Sequence, residues 1–548
     1  MNSHSLDHLL RKTFSELPSE QIYNVQQATL RFGINTFDSP TKIAAAISID
    51  ERIQIAKLLQ FANQNNLGIC PLSSGNNWGY GSVNPINNKA LIVLDLSKLK
   101  RIIPIDKELG FIALEPGVTQ QDLAEFLDNN NWNFMTPVTG AGPSCSIISN
   151  ALERGYGITP YTDHFMAASS FRYFIPHPKL CDKEFYSPLA SLDKSVKDPE
   201  KRSVIDASYK WGLGPNFDGL LTQSNLAIVS EMSLRLAPIP NEFRSFYIQC
   251  SSSKSLKSVV NFIQKLLKEQ GANIGSVNLM DKRRVVAMVA ENPNGPEAHK
   301  VMSDEQLNTI IKQYKLPEWT IVGSIYSTKD TYKSVKRYIR TNARFASKVL
   351  FSDSLFIKLG NLATRILPAR FLEKERKQLL AMNLGIEIML GKPNQVALPL
   401  AYWRNPDKKG DISQPLLPDK DECGLLWYAP LLEMSATKIE EFVDFIRTTT
   451  PRFGIEPLIT FTNLSFSCVD STVPIVFSLN NLEARQKAHD CLEQLFDEGL
   501  EKGFVPYRLP VDLQATKLDP EEPHWLLTRH IKSSLDPNNI LNPSRYCP

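Results

Sequence analysis

The sequence lacks several patterns that would assign a protein to a class at first sight. None of its eight cysteines is spaced C-x-x-C, which argues against a zinc site or a disulfide framework. It has no run of about 20 apolar residues that could span a bilayer. Its start, MNSHSLDH, has no positive segment followed by an apolar one, so no secretory signal is expected. We therefore expect a reduced, cytoplasmic, soluble protein with no metal and no membrane partner.

An excess of charge of one sign is also missing. The 61 Lys and Arg residues nearly balance 58 Asp and Glu residues and leave a formal net charge of +3, without a dense basic tract. No nucleic-acid partner is therefore expected. There is no internal repeat and no long low-complexity segment. The composition is that of a globular protein, and 548 residues predict two or more domains.

The most informative stretch that is present is a loop rich in Gly, Ser and Asn at 71–81, PLSSGNNWGYG. It follows a helical pattern near 50–63 and a short strand pattern at 67–72. Gly75, Gly79 and Gly81 allow backbone conformations in which several amide N–H groups point into one concavity, as a pyrophosphate requires. An ordinary cluster of turns is the alternative interpretation.

The next segments alternate between strand and helix patterns. Strands are predicted at 90–96 and 111–118, and Thr119 is predicted to be the N-cap of a helix that extends to Phe126. A second glycine-containing loop follows at 136–146, and a short helix over 144–154 could present its N-terminus to an anion. This region reads as a compact α+β unit.

Further along the chain the pattern changes after the pair Pro238 and Pro240, a predicted domain boundary. Before it, 226–229 and 232–236 are predicted as two strands, and the charged run 194–202 is predicted to be exposed. From about 241 to 500, longer helices alternate with strands, which indicates a second α+β domain.

Six blocks, in this order, resemble the flavoprotein family of vanillyl-alcohol oxidase, eugenol oxidase and the flavoprotein subunit of p-cresol methylhydroxylase. They are SSGNNWGYG (73–81), LEPGV (114–118), NALERGYGITPYTDHFM (150–166), GPNFDGLLTQSN (214–225), PYR (506–508) and LDPNNILNPSRY (535–546). The resemblance implies an α+β fold: an FAD-binding domain of two subdomains over 1–240, an inserted α+β cap or substrate domain over 241–500, and a segment over 501–548 that returns to the FAD-binding domain.

The resemblance also implies the residues that bind FAD. In this family the two loops supply amides to the pyrophosphate, a strand runs beside the cofactor and the C-terminal tail closes over it. The expected cofactor-binding residues are Ser74, Gly75, Asn76, Asn77, Gly140, Gly142, Ser144, Ser146, Asn150, Ile228, Val229 and Arg545.

The catalytic residues implied by the resemblance are Tyr80, Tyr507, Arg508 and Asp163. The first three match a clamp for a phenolate, and Asp163 matches an acidic residue close to flavin N5. The alternatives are that both tyrosines only pack and that Arg508 forms a surface ion pair. Asp163 could instead be an N-cap or a hydrogen-bond partner of His164, for which a structural role is expected.

The sequence departs from the family in two places. Several members attach the flavin covalently to a His or Tyr of the cap. The counterpart is expected near Val469-Asp470-Ser471, a region that contains neither residue, so non-covalent FAD is predicted. Cys468 lies nearby and is expected to be a buried thiol. The segment 167–210 also diverges from the family pattern, so a difference at the pocket mouth or at an interface is expected.

The expected function is an FAD-dependent oxidase or dehydrogenase that removes a hydride from the benzylic carbon of a para-substituted phenol, bound as phenolate, through a quinone methide. Two alternatives stay open: a tailoring oxidoreductase of secondary metabolism that acts on a larger or non-phenolic substrate, and a flavin-binding relative without turnover. Family analogy suggests a homodimer. Oxygen and a cytochrome both serve as acceptors in the family, and the sequence does not point to a cytochrome partner.

Overall fold

A computed structural model of the chain describes residues 3–38, 41–87, 89–186, 189, 192, 201–295, 297, 300–352, 373–409 and 413–548. The chain forms two compact units. The first comprises Met1–Tyr156, Asp163–Pro238 and Leu509–Pro548, and the second comprises Gly157–Thr162 and Ile239–Arg508. Each unit contains both helices and sheets.

Helices lie before the first strand and after the last strand of the first unit. Its helices are Ser3–Thr13, Val25–Phe32, Ile53–Asn65, Gln120–Asn129, Ile147–Leu152, His164–Ala167, Val204–Ser208, Val511–Lys517 and Pro523–Leu535. Its strands are β1 (Ile22–Tyr23), β2 (Ala45–Ser48), β3 (Gly68–Leu72), β4 (Leu91–Asp95), β5 (Ile102–Asp106), β6 (Phe111–Leu114), β7 (Phe134–Met135), β8 (Ala168–Phe174), β9 (Phe185–Tyr186), β10 (Ile228–Arg235) and β11 (Ala237–Pro238).

Two sheets carry the first unit. One has the order β1-β2-β4-β3, in which β4 is parallel to both of its neighbours. The other has the order β5-β6-β10-β8-β9 and is antiparallel throughout, while β7 and β11 form a separate pair. The predicted cap is present, because the Thr119 side chain accepts from the Asp122 amide and the Asp122 side chain accepts from that of Thr119.

The C-terminal tail is part of the core of the first unit. Ile540 and Leu541 are buried in the same cluster as the apolar face of the helix Ile53–Asn65 and the side chains of β2–β4. The Ile69 amide donates to the Ile540 carbonyl (2.7 Å) and the Asn542 amide donates to the Ile69 carbonyl (2.8 Å). The tail therefore lies along β3, the strand that leads into the loop at 73–81.

The second unit is built on one large sheet. Its strands are β12 (Glu242–Cys250), β13 (Ile274–Asp281), β14 (Trp319–Ser327), β15 (Lys348–Phe351), β16 (Cys423–Tyr428), β17 (Pro430–Glu433), β18 (Thr460–Asn463), β19 (Cys468–Ser478) and β20 (Val505–Pro506). Its helices are Leu256–Gln270, Lys282–Val289, Asp304–Tyr314, Lys329–Asn342, Glu373–Met389, Ala436–Thr449 and Leu482–Glu501.

The described strands of this sheet follow the order β15-β12-β14-β13-β18-β19-β17-β20, and β16 pairs with β19. An aromatic cluster fills the space between sheet and helices. Phe442 stacks on Tyr428 and meets Phe461 and Phe504 edge to face. Packing of this kind fixes the strands near the end of the unit, where Tyr507 and Arg508 follow β20.

Three details of the sequence prediction need correction or qualification. The strands predicted at 226–229 and 232–236 are one strand, β10, which continues through an irregularity between Val229 and Glu231. In the run 194–202, residues 194–200 lie outside the described residues, but the prediction of exposure is wrong for Arg202. Its side chain is 7% exposed and forms an ion pair with Glu231, because Glu231 is buried and needs counter-charge.

Candidate functional site

The loop after β3 takes its shape from glycines in the left-handed region. Gly75, Gly79 and Gly81 have φ values of 76°, 79° and 109°. At position 81 even the space for a side chain is missing, because a Cβ there would overlap the side chain of Val511. The Gly79 amide donates to Thr36 Oγ1 (2.8 Å), which fixes the far side of the turn.

A second loop is hydrogen-bonded to the first. The Ser146 amide donates to Ser74 Oγ (3.1 Å), and Asn76 Nδ2 donates to Ser144 Oγ (2.8 Å). Four predicted cofactor-binding residues that are distant in sequence therefore lie together. Gly142, with a φ of 85°, turns the second loop.

The donor set of the two loops fits a pyrophosphate. Residues 73–82 and 136–150 contain no acidic or basic side chain, only amides, hydroxyls and apolar groups. Within the described part of the chain, the amide N–H groups of Gly75 and Asn76 donate no hydrogen bond, and both residues are half-buried. Such amides are suited to bind an anion without a repelling carboxylate nearby.

Other predicted cofactor residues also make structural contacts. Ser146 Oγ donates to the Pro116 carbonyl (2.7 Å) and accepts from the Ser149 amide as the N-cap of its helix. Asn150 Nδ2 lies 3.3 Å from the Gly155 carbonyl and 2.8 Å from His164 Nδ1. Ile228 is a core side chain, and Val229, also buried, pairs with Tyr173 in the neighbouring strand.

The remaining three residues differ in their surroundings. Asn77 is half-buried, and its carbonyl accepts from the Tyr80 amide (3.2 Å). Gly140 is exposed at the tip of the second loop. Arg545 Nη2 forms an ion pair with Glu153 (2.6 Å), and Nη1 donates to the Ser82 carbonyl (3.3 Å). Arg545 therefore fastens the tail to the first loop, with most of its charge compensated by Glu153.

Asp163 is an N-cap, which was the structural alternative for this residue. Its Oδ1 accepts from the Met166 amide (3.0 Å) at the start of the helix His164–Ala167. Capping uses only Oδ1, so the other carboxylate oxygen of Asp163 is available to act in a reaction. The adjacent His164 is buried, and burial lowers its pKa to about 4, so the ring is neutral at pH 7.

Two charged residues near Asp163 were missed by the sequence analysis. Lys210 Nζ donates to the Phe165 carbonyl (2.9 Å), and burial lowers the Lys210 pKa while Asp218 and Asp163 raise it. Asp218 is buried, which raises its pKa to about 6. Asp218 lies within the quoted block GPNFDGLLTQSN, so the block itself was the signal that could have found it.

In the second unit, Tyr507 and Arg508 are both half-buried and directly follow β20. Asp470 is 6% exposed in β19; burial raises the pKa of its carboxyl well above the usual range, and the Arg508 guanidinium lowers it. Ser471, next to Asp470, donates to the Pro430 carbonyl (2.7 Å). The predicted attachment region 469–471 is thus a buried strand that contains neither His nor Tyr.

Comparison with known proteins agrees with the binding of a pyrophosphate group by the two loops. The FAD binding domain family matches residues 43–169, a range that includes both loops and Asp163. The 4-cresol dehydrogenase [hydroxylating] flavoprotein subunit of Pseudomonas putida is 23% identical over 93% of this chain and 88% of its own length. These matches indicate an FAD-dependent oxidoreductase that is similar to this 4-cresol dehydrogenase flavoprotein subunit.

Two further comparisons extend this similarity. The 1'-carboxy-chondrochloren decarboxylase of Chondromyces crocatus is 26% identical over 100% of this chain and 98% of its own length. The crystal structure of p-cresol methylhydroxylase with substrate bound superposes with a TM-score of 0.83 at 20% identity, covering 100% of this chain and 97% of the other. The predicted fold, a two-subdomain FAD-binding domain with an inserted α+β cap, is therefore confirmed.

Within the described residues, no helix is long and apolar enough to cross a membrane. The same residues contain no group of three or more His, Cys, Asp or Glu side chains that could hold a metal ion.

Proposed function

We propose that this flavoprotein removes a hydride from the benzylic carbon of a para-substituted phenol that is bound as phenolate. One observation carries the proposal: Arg508 is half-buried directly after the half-buried Tyr507, and it lowers the pKa of the Asp470 carboxyl, which burial raises. This environment argues against the alternative of a surface ion pair. Buried guanidinium groups bind planar oxyanions well because their donors form a rigid fork.

The proposed interactions of Arg508, Tyr80 and Tyr507 with the phenolate oxygen are strong enough to offset the cost of ionising the phenol. A phenol has an unperturbed pKa near 10, so its ionisation at pH 7 costs about 4 kcal/mol. A guanidinium about 4 Å away, at an effective dielectric of about 20, returns about 4 kcal/mol. Hydrogen bonds from the hydroxyls of Tyr80 and Tyr507 to the charged oxygen would add about 1.5–3 kcal/mol each before desolvation is subtracted.

The other proposed roles follow from the same chemistry. Bound FAD supplies the two-electron acceptor. Ser74, Asn76, Ser144 and the amides of Gly75 and Asn76 would hold its pyrophosphate. The free oxygen of Asp163 would stabilise the electron-poor quinone methide and accept a proton from water or substrate.

We also propose that the FAD is not covalently bound, because the region 469–471 offers no His or Tyr. After precipitation of the holoprotein with acid, the yellow colour should stay in the supernatant. Colour that stays with the pellet would contradict this. A homodimer is proposed by family analogy alone, with size-exclusion chromatography as its test.

A second candidate is oxidative decarboxylation, favoured by the 1'-carboxy-chondrochloren decarboxylase, which this chain matches over its whole length. In a phenol with a carboxylate on the carbon next to the benzylic one, hydride loss gives a quinone methide. The bond to the carboxylate then breaks, its electron pair forms a C=C bond to the benzylic carbon, carbon dioxide leaves and the phenolate is restored. Electrons and atoms balance without a further reagent.

Anaerobic mixing of the holoprotein with three compounds tests both candidates. Bleaching of the flavin by 4-ethylphenol supports the first candidate. Bleaching by 3-(4-hydroxyphenyl)propanoate with release of carbon dioxide supports the second. The methyl ether of the latter compound cannot ionise and should not react. If neither phenol bleaches the flavin, or if the methyl ether reacts equally well, the phenolate proposal fails.

A further inference from the structure

Large apolar side chains stand out of the surface of the first unit close to Asp163. They are Met166 (64% exposed), Tyr209 (55%), Trp211 (60%), Leu213 (65%) and Phe217 (56%). All but Met166 lie in the short stretch 209–217. A single exposed apolar side chain is ordinary, but a cluster of this kind marks a surface that another molecule covers.

The loop that carries four of these side chains is closed by a hydrogen bond. Asn216 Nδ2 donates to the Lys210 carbonyl (2.8 Å). Gly212 and Gly214 have φ values of 62° and 82°, which turn the chain at the tip of the loop. A Cβ built at Gly214 would meet no atom within 4 Å, so the tip is surrounded by open space.

Lys210 joins this loop to the helix that carries Met166. Its Nζ donates to the Phe165 carbonyl (2.9 Å) and lies 4.5 Å from the centroid of the Phe165 ring. Met166 directly follows Phe165 in the helix His164–Ala167. Met166 and the loop therefore lie side by side. We define the apolar patch as Met166, Tyr209, Trp211, Leu213 and Phe217.

Charged groups are turned away from the apolar patch. Lys210 is the one charged residue in the sequence 208–217; it is half-buried, and its ammonium group is held at the Phe165 carbonyl. Asp218, the next residue along the chain, is 7% exposed. A surface rich in aromatic side chains and Met, and poor in charge, has the composition of the core of a protein interface.

These properties favour a second copy of the chain as the molecule that covers the patch. In a two-fold interface the same surface meets itself. A surface with charges of one sign would repel its own copy, whereas an uncharged apolar surface is complementary to itself. A redox partner that binds briefly is steered by charge, which the patch does not present. Small molecules are bound in concave pockets that enclose them, not by side chains that protrude.

We propose that the apolar patch is the surface through which two copies of this chain associate. The inference rests on the homodimer of the proposed function and adds the residues that form its interface. It does not depend on the proposed reaction. Trp211 should contribute most to the affinity, because tryptophan is enriched among the few residues that dominate the binding energy of an interface.

Sedimentation velocity of the holoprotein over a range of concentrations tests this surface. The native protein should be a dimer that persists at high salt, because apolar association is not screened. Trp211→Ser and Leu213→Ser should each raise the dissociation constant of the dimer, and Trp211→Ser should raise it about thirtyfold or more. Leu30→Ser is the matched control: Leu30 is 67% exposed in the helix Val25–Phe32 of the same unit, so this variant should dissociate like the native protein.

The outcomes separate the patch from the homodimer and from the reaction. A native dimer whose dissociation constant is the same in Trp211→Ser, Leu213→Ser and Leu30→Ser would overturn the patch as the interface, while the homodimer would stand. A native protein that is monomeric at every concentration would overturn both, and the bleaching of its flavin by phenols would still decide the proposed reaction.

Hydrogen exchange of the native holoprotein gives a second measurement that needs no variant, should one of them not fold. The amides of 209–217 should exchange more slowly at concentrations above the dissociation constant of the dimer than below it. Equal exchange of these amides at both concentrations would overturn the proposal.

Discussion

The amide of Val511 donates a hydrogen bond to the carbonyl of Tyr80 (3.1 Å). Val511 also lies against the Cα of Gly81, where a Cβ would overlap its side chain. Val511 thus fixes the backbone of the first loop at Tyr80, which is proposed to bind the phenolate. Val511 stands three positions after Arg508, another proposed phenolate ligand, in the sequence.

The close approach at Gly81 predicts a cost for Gly81→Ala. The variant should lose more than about 2 kcal/mol of unfolding free energy, because overlap with Val511 adds to the strain of a left-handed backbone. Gly503→Ala is the matched control: its φ is 80° but nothing lies within 4 Å, so about 1–2 kcal/mol is expected. Adding Val511→Ala should partly rescue Gly81→Ala. Equal losses in the two single variants would show that overlap is unimportant.

The buried Lys532 gives a second stability prediction. Its Nζ contacts the Asp536 carboxylate (2.6 Å) and the carbonyls of Asn225 (2.5 Å) and Leu541 (2.9 Å). Lys532→Met should cost about 3–5 kcal/mol in denaturant unfolding, since it leaves Asp536 buried without counter-charge. The exposed Lys333→Met should stay within about 0.5 kcal/mol.

A second change separates the charge from the packing at Lys532. The double variant Lys532→Met/Asp536→Asn removes the stranded charge and should be more stable than Lys532→Met alone. A double variant that is less stable than the single one would contradict a charge effect.

Asp218 predicts a pH dependence of stability. Its folded pKa is raised from 3.8 to about 6, so the folded state binds the proton more tightly than the unfolded state does. The contribution of Asp218 to the unfolding free energy should therefore fall as pH rises from about 4 to 6, by about 2–3 kcal/mol. The buried neutral His164 contributes with the opposite sign in this range, so the measurement is the difference between the native protein and Asp218→Asn in denaturant titrations, which should fall with pH. The exposed Asp330→Asn should follow the native protein. Equal pH dependence of the native protein and Asp218→Asn would refute the assignment.

Local signals in the sequence predicted much of the fold. The strand predicted at 90–96 is β4, Leu91–Asp95, and Thr119 caps its helix with a capping box. These features depend on residues within one or two turns of each other, so the sequence contains their cause.

Contacts between distant residues escaped the sequence analysis. Glu231 is buried and contacts Arg52 (2.8 Å) and Arg172 (3.5 Å), partners that lie 179 and 59 positions away. The influence of Arg508 on the pKa of Asp470 and that of Lys210 on the pKa of Asp218 also depend on the register of strands and loops. The residues around a charged side chain in the sequence do not show that it is buried beside a partner far along the chain. These contacts could therefore be recognised only in the folded structure.

Two variants of Asp163 separate its role as an N-cap from the role of its negative charge. Asp163→Asn keeps an oxygen for the Met166 amide but loses the negative charge, and Asp163→Ala loses both. Both variants should slow flavin reduction by about a hundredfold or more in anaerobic stopped flow, with phenol binding nearly unchanged. Only the Ala variant should also lose about 1 kcal/mol of stability. A fast Asn variant would limit Asp163 to capping.

Arg508→Ala should remove the main counter-charge of the phenolate. We expect a loss of at least about 2 kcal/mol in transition-state stabilisation, or about thirtyfold in the reduction rate divided by the apparent dissociation constant. Arg508→Lys should recover part of this loss, because it restores the charge without the planar fork. Arg452→Ala, at an arginine side chain 52% exposed beside Glu498, is the control and should react like the native protein. An unchanged rate for Arg508→Ala with a phenol that bleaches the native flavin would show that the oxyanion is stabilised elsewhere.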